Sequence, residues 1–425
     1  MMRFPATVAI VVALSGCATT LAPAGQAGFA PDCDAMAAFL DDAVSQRRIA
    51  GASALVWHRG QEACFESAGV RSLETGAPYD RQTLVQIYSM TKPVTGVALM
   101  QLWEQGRFGL DDALEDHLPE YAALRVFERM GDDGVPVTRA PSRKVTIRDV
   151  LRHTAGFTYG NAGHPSDPVW EARQPLAPSN TLAEFSQEMA QVPLLHDPGT
   201  HWQYSAGVDV QARLVEKLSG MAFADYVDAN IFTPLGMDDT GWQRQQSEIP
   251  RLARIYAGYG DAALTPMPEE DWLEAAFAGN PLTMGGSGLV STIDDYMRFA
   301  RMLLGEGTLD GTRILRPETV RLMATDQLDP RIGAEDRSWL GSKGTGGFGF
   351  DFFVRTGPPQ TAEENRGTVG EFFWDGYAST LFWVDPAQDM AVVFLPQKIP
   401  FDNALHHDFR DAVYGPEYRG VAPSR

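Results

Sequence analysis

Tyr88-Ser89-Met90-Thr91-Lys92-Pro93 heads an apolar run that reaches Trp103, and the reading of this stretch decides how the chain is built. Read as a helix, it sets Ser89 and Lys92 on one face one turn apart, because side chains three residues apart are neighbours on a helix surface. A hydroxyl then lies within reach of an amine, a candidate nucleophile beside a candidate base. Pro93 is compatible with this, since backbone N–H groups in the first helical turn have no intrahelical partner to lose. The spacing predicts a helix that starts at Ser89 or one residue later. Behind it Val94, Val97, Ala98, Leu99, Met100, Leu102 and Trp103 are apolar nearly all round, which marks a helix buried inside a domain. Gly106 stands in the usual place past a helix end. A lysine at the front of such a helix is costly unless it is partnered or neutral. Taken alone, Ser-x-x-Lys in a chain with 35 Lys and Arg is equally a capping serine followed by a solvated lysine. Other segments must decide.

The length of 425 residues allows one large α/β unit or two closely packed ones. Charged residues at 21% and hydrophobic ones at 44% describe an ordinary globular body. A formal net charge of -20 repels a phosphate backbone, which argues against nucleic acid as a partner.

The first residues do not belong to that body. Arg3 is followed by the apolar run Val8 to Ala13 and then by Leu14-Ser15-Gly16-Cys17, a short hydrophobic segment ending in small residues, built as an export signal. It is too short for a permanent transmembrane helix. Its end resembles a bacterial lipobox, which implies cleavage before Cys17 and lipidation of that thiol, a firm membrane anchor. Ala18 gives no inner-membrane retention signal of the Asp type, so the expected location is the periplasmic side of the outer membrane. Plain secretion without lipid is the alternative. Residues 1–17 are thus read as signal and 18–32, rich in Ala, Gly, Pro and Thr, as a flexible tether. Of the remaining cysteines, Cys33 and Cys64 could pair in an oxidising compartment, but the expectation favours buried free thiols. No Cys or His spacing reads as a metal site, His406-His407 included. No cofactor is expected.

Along the chain, Asp34 to Arg48 has helical periodicity and Ala52 to His58 with Glu62 to Ala68 reads as a hairpin. Thr146 to Leu151 starts a helix, with His153 at its end as a structural histidine. Asn161 to Asn180 is Pro-rich and is expected to form a wall or lid of a cleft. Helices are predicted over Thr181 to Ala190, Val208 to Leu218 and Tyr296 to Leu304, the last capped by Thr292-Ile293-Asp294-Asp295. Gly285-Gly286-Ser287-Gly288-Leu289 is expected to make a tight turn beside the cleft. The final third reads as strands: Phe348 to Val354, Gly370 to Trp374, Ser379 to Val384 and Met390 to Leu395, then a closing helix from Asn403 to Tyr414. Short links imply antiparallel neighbours. The expected fold is α/β of the α+β kind: an antiparallel sheet formed by the N- and C-terminal segments, flanked by helices, with a mostly helical second lobe and a cleft between.

Three stretches in this order, Ser89-Met90-Thr91-Lys92, Tyr204-Ser205-Ala206 and Trp374-Asp375-Gly376, with Leu151 to Gly156 between the first two, resemble the serine β-lactamase and penicillin-binding-protein superfamily. Within it the chain resembles the class C-like esterases, often called family VIII carboxylesterases. The resemblance covers most of the chain from about residue 34 onward. It implies a β-lactamase/transpeptidase-like hydrolase domain over 33–420, with an α/β part at about 33–85 and 340–420 and a helical lobe at about 95–280. It also implies Ser89 as nucleophile, Lys92 as general base, Tyr204 as proton relay and the N–H groups of Ser89 and Tyr377 as oxyanion donors. Trp374, Asp375 and Gly376 then border the substrate. Desolvation would give Lys92 the neutral amine that a base needs. The third motif begins with Trp374 where penicillin-recognising members have lysine, and the second ends in Ala206 where they have asparagine. Both departures suggest an apolar rim without a cation, suited to a small-molecule ester of a short or medium acyl group cleaved through an acyl-enzyme, with weak β-lactam hydrolysis expected beside it because the acylation machinery is the same. A β-lactamase or D-alanyl-D-alanine carboxypeptidase is the second enzymatic reading, and an envelope protein that only binds its ligand is the third. The oligomeric state is not legible.

Overall fold

The computed structural model describes residues 29–258, 263–268, 279–337 and 339–420. The signal segment and Cys17 lie outside them. The first helix, α1 (Cys33–Ser45), starts where Asp32 caps it by accepting the Ala35 N–H at 2.9 Å, and it buries Met36, Leu40 and Ala43. It leads into the hairpin β1 (Gly51–His58) and β2 (Gln61–Ser72), with His58 opposite Gln61, and a short edge strand β3 (Ala77–Pro78) follows. The helical middle contains α2 (Thr91–Glu104), α3 (Ile147–Leu151), α4 (Leu182–Met189), α5 (Gly207–Ser219) and α6 (Ile293–Leu304). The chain closes with β4 (Gly346–Phe348), β5 (Phe353–Arg355), β6 (Phe372–Asp375), β7 (Leu381–Asp385), β8 (Met390–Pro396) and α7 (Asn403–Tyr414).

These strands form one antiparallel sheet in the order β4-β5-β6-β7-β8-β1-β2-β3. The N- and C-terminal strands meet inside the sheet, with five strands on one side of the junction and three on the other, where β1 runs against β8 from Ala52 opposite Pro396 to His58 opposite Met390. Consecutive strand residues face opposite sides. Phe382 packs on Tyr296 of α6 at 5.1 Å between ring centroids, whereas Trp383 packs on Phe409 of α7 at 5.7 Å, so these two helices cover opposite faces. Helix α1 shares a face with α7, through Phe39 and Phe409 at 5.6 Å. The expected mixed fold with a terminal antiparallel sheet is what the molecule has.

Four expectations need correction. Cys33 and Cys64 form a disulfide: α1 lies over β2, bringing their Cα atoms to 5.5 Å, within bridging distance. Phe348 to Val354 is not one strand but two, β4 and β5, joined by a tight loop in which Asp351 adopts a φ of +62°. The alternating phenylalanines that suggested a strand continue through that loop because it too is buried. The tether does not extend to residue 32, since Phe29 is buried against the rings of His58, Tyr414 and Tyr418 and Asp32 caps α1. Finally, α2 begins at Thr91, preceded by one 3-10 turn over Tyr88–Met90 that holds Ser89. Tyr88, at φ +46°, turns the chain sharply into it.

Candidate active site

Ser89 and Lys92 remain one turn apart despite the tighter start, and Lys92 Nζ donates to Ser89 Oγ at 3.1 Å. Tyr204 comes from the loop before α5 and donates its hydroxyl to the same Oγ at 2.7 Å. Three residues that the sequence placed in one constellation therefore meet at one oxygen, although Tyr204 lies 115 positions from Ser89. The tyrosine is held by rings on several sides: His153 at 5.1 Å, Trp339 at 5.1 Å, Trp374 at 5.5 Å and Tyr159 at 5.5 Å. His153, just past α3 and fully buried, faces Ser205 Oγ at 3.3 Å, and burial pulls its imidazole well below its ordinary range. It stays neutral and packs against Tyr204, the structural part expected of it.

Lys92 is 1% exposed. Burial lowers its amine to about 8, against the opposing pull of Asp209, Asp351 and Asp375. Its second hydrogen bond goes to the carbonyl of Gly286 at 2.7 Å. The glycine cluster is thus part of the lysine's seat: the Gly286 N–H donates to Asp209 Oδ1 at 3.0 Å, and a Cβ at Gly286 would come within 3.3 Å of the lysine nitrogen. Burial pushes Asp209, near the start of α5, and Asp351, in the β4–β5 loop, above the usual carboxylate range. Tyr204 is likewise pushed up by burial, with its bond to Ser89 pulling the other way.

Ser89 opens into a cavity of about 380 Å³ whose walls include Tyr204, Trp339, Lys343, Asp375, Tyr377 and Phe401. Gly376 is required here by close approach, since any Cβ would collide with the Ile87 carbonyl and Thr380, and this contact brings Tyr377 beside the turn that carries Ser89. Tyr88 and Tyr377 rings lie 5.9 Å apart, and Tyr377 is 54% exposed at the mouth. Trp374, expected to border the substrate, is instead fully buried and packs against Tyr204 behind the cavity wall, whereas Asp375 and Gly376 line the cavity. A second hollow of about 220 Å³ is lined by Tyr88, Leu176, Pro178, Trp242 and Met284 among others. Leu176 and Pro178 come from the Pro-rich stretch expected to wall the cleft, a stretch that also contains a short helix, Asp167–Arg173.

The cleft does hold a cation, contrary to the sequence expectation. Lys343, 3% exposed, forms an ion pair with Asp375 inside the cavity. It supplies an ammonium from the segment before β4 where the third motif has Trp374. Gly286 was expected in a tight turn beside the cleft, where it is found, whereas the sequence reading missed Lys343, Asp209, Asp351 and Tyr159 as members of the site. Of these only Asp209 left a signal, an acid among the apolar residues Val208, Val210 and Ala212 on what the fold makes a buried helix face.

A beta-lactamase family profile matches residues 36–414. The chain belongs to the beta-lactamase family. It is 30% identical over 419 residues to esterase EstB of Burkholderia gladioli, covering 93% of this chain and 99% of that protein. Among solved structures, the fold is similar to EstCE1, described as a hydrolase with promiscuous acyltransferase activity, with a TM-score of 0.74 and 25% identity over 90% of this chain and 98% of that one. It is also similar to the simvastatin synthase LovD from Aspergillus terreus, with a TM-score of 0.77 and 25% identity over 91% and 98% of the two chains. The family relatives of this chain thus include esterases and acyltransferases.

Proposed function

We propose that the protein is a serine esterase that cleaves small-molecule esters of short to medium acyl groups through an acyl-enzyme. The observation that carries this is the convergence of Lys92 Nζ and Tyr204 Oη on Ser89 Oγ, at 3.1 and 2.7 Å, at the end of an aromatic-walled cavity. In the first half-reaction the Ser89 O–H proton passes to the neutral Lys92 amine as Oγ bonds to the ester carbonyl carbon. The carbonyl oxygen becomes an oxyanion received by the N–H groups of Ser89 and Tyr377, donors fixed before the charge appears. The C–O bond to the alcohol then breaks, the leaving oxygen takes a proton relayed through Tyr204, and the acyl group stays on Ser89. In the second half-reaction water gives a proton to the same relay as its oxygen bonds to the acyl carbon, the bond from that carbon to Ser89 Oγ breaks, Oγ takes the proton back, and the acid is released. Ser89→Ala is expected to abolish hydrolysis of a p-nitrophenyl ester and labelling by a fluorophosphonate while far-UV circular dichroism is unchanged; retained turnover would refute the assignment.

The same proposal places the enzyme on the periplasmic side of the cell envelope, anchored through lipid on Cys17. The apolar run from Val8 and the Leu-Ser-Gly-Cys sequence support this. Mass spectrometry of the mature N-terminus is expected to show acylated Cys17 as the first residue, and a free thiol there would remove the anchor.

A further inference from the structure

We propose that Lys343 is a positioning residue for the Ser89 centre: by holding Asp375 in an ion pair, it keeps an uncompensated carboxylate from facing Lys92 and the carbonyl oxygen bound at Tyr377. This rests on the reading of Lys92 as the base.

Asp375 ends β6 and stands two residues before Tyr377, whose N–H is assigned to the oxyanion. Its side chain lies on the wall of the cavity that contains Ser89, and it is 6% exposed. A carboxylate there acts against the chemistry twice. It repels the developing oxyanion, and it favours the protonated form of Lys92, which needs to be neutral to work. Lys343 answers both. Its ammonium touches Asp375 and is boxed in by rings, with Phe401 at 4.3 Å, Trp339 at 4.7 Å and Trp374 at 5.6 Å from nitrogen to centroid. The cage fixes the cation on the carboxylate and leaves it little freedom to turn elsewhere.

The other charged and titratable groups around Lys92 do not share this function. Asp209 on α5 and Asp351 in the β4–β5 loop are both drawn toward their protonated forms by burial, and His153 past α3 is held neutral in the same way. Tyr159 and Tyr204 present ring faces to the amine, at 5.5 and 4.6 Å. Of the three carboxylates that act on Lys92, Asp375 alone has a lysine of its own. Around Lys343 itself, burial draws the amine below its ordinary range, Asp375 in contact with it pulls the other way, Arg410 on α7 adds a repulsion, and His406 on the same helix is lowered by burial to about 4 and is neutral.

The test is the pH dependence of kcat/KM for a p-nitrophenyl ester in Lys343→Met, Asp375→Asn and the double variant, with thermal melts run alongside. Lys343→Met exposes Lys92 to an unbalanced negative charge, so its acid limb is expected to move up by about one pH unit, a tenfold loss at any pH below the limb. Asp375→Asn leaves Lys343 unbalanced instead and is expected to move the limb down. The double variant returns it to the wild-type position. Acid limbs that coincide with wild type in both single variants overturn the proposal, however far activity falls, because a purely structural strut lowers activity evenly across pH. Should Lys343→Met not fold, the limb of Asp375→Asn decides alone, and an unmoved one sinks the inference. Turnover retained in Ser89→Ala would instead remove the underlying mechanism, whereas its loss together with unmoved limbs removes only the part given to Lys343.

Discussion

Under α7, Glu371 receives Arg355 at 3.1 Å and Arg410 at 2.8 Å, all three side chains at 0% exposure, with the Arg410 guanidinium stacked over Phe373 and Trp383. At the head of α2, Lys92 is as deeply buried, yet among the described residues its partners are a hydroxyl and a carbonyl, and the carboxylates that act on it stand off. Both places pay for desolvation, but they recover it differently. Contact with a carboxylate fixes a proton on a base, and the arginine cluster accepts that because it has no proton to move. On the proposed mechanism Lys92 gives up and regains its proton, which a carboxylate in direct contact would oppose. The two clusters set completed pairing in one region against withheld pairing in the other, and the proposed mechanism calls for the second at Lys92.

The sharpest way to break this comparison is to remove each cation. Lys92→Met keeps the length of the side chain and deletes the base, and kcat/KM for an ester is expected to fall by about 10²–10⁴ while the melt stays cooperative. In the wild type, activity is expected to rise with pH through about 8 as the Lys92 proton leaves, since the proposed mechanism uses the neutral amine. A rate independent of pH across that range would separate catalysis from this lysine. In contrast, Arg410→Met should leave the chemistry of the folded enzyme intact and cost stability. Glu371 keeps Arg355 but loses its closer partner, and removing one member of a buried ion pair costs about 3 kcal/mol, read as a lower midpoint in urea. An unchanged midpoint would mean that the cluster is not held by its charges.

How much of this was legible beforehand follows the range of the contacts. Ser89 and Lys92 declare themselves because their relation is one helical turn, and the N-terminal hairpin because its period and its Arg59-Gly60 turn are local. Tyr204 was reached only through the resemblance of its motif, since nothing near it in the sequence points to Ser89. The sequence does not announce Lys343, which sits in a Gly- and Ser-rich segment and meets Asp375 only because β4 and β6 are brought together with β5 between them. Asp351 was hidden for a different reason: the loop that carries it is as phenylalanine-rich as the strands it joins, so the period of two runs through the turn. The disulfide was misjudged because the distance between Cys33 and Cys64 depends on how α1 lies across β2, a matter of packing that spacing does not encode.

The smallest expected effect separates the two clusters by sign. The folded protein holds Lys92 at about 8, below the ordinary value of 10.5, so burial works against its charged form. Between those two values the unfolded chain binds a proton that the folded one does not, and the native state gains stability as pH rises through that window. Below about 8 both states carry the proton and the penalty is complete. Lys92→Met removes the charge without opening a cavity and is expected to stabilise the protein, on the order of 1 kcal/mol below pH 8, with the gain shrinking toward pH 10.5. The equivalent change at Arg410 destabilises, because there the charge is paired. Paired urea titrations of the two variants at pH 7 and pH 10 measure both signs. If Lys92→Met also destabilised at pH 7, the lysine would be contributing to the fold as the arginines do, and the contrast drawn between withheld and completed pairing would not hold.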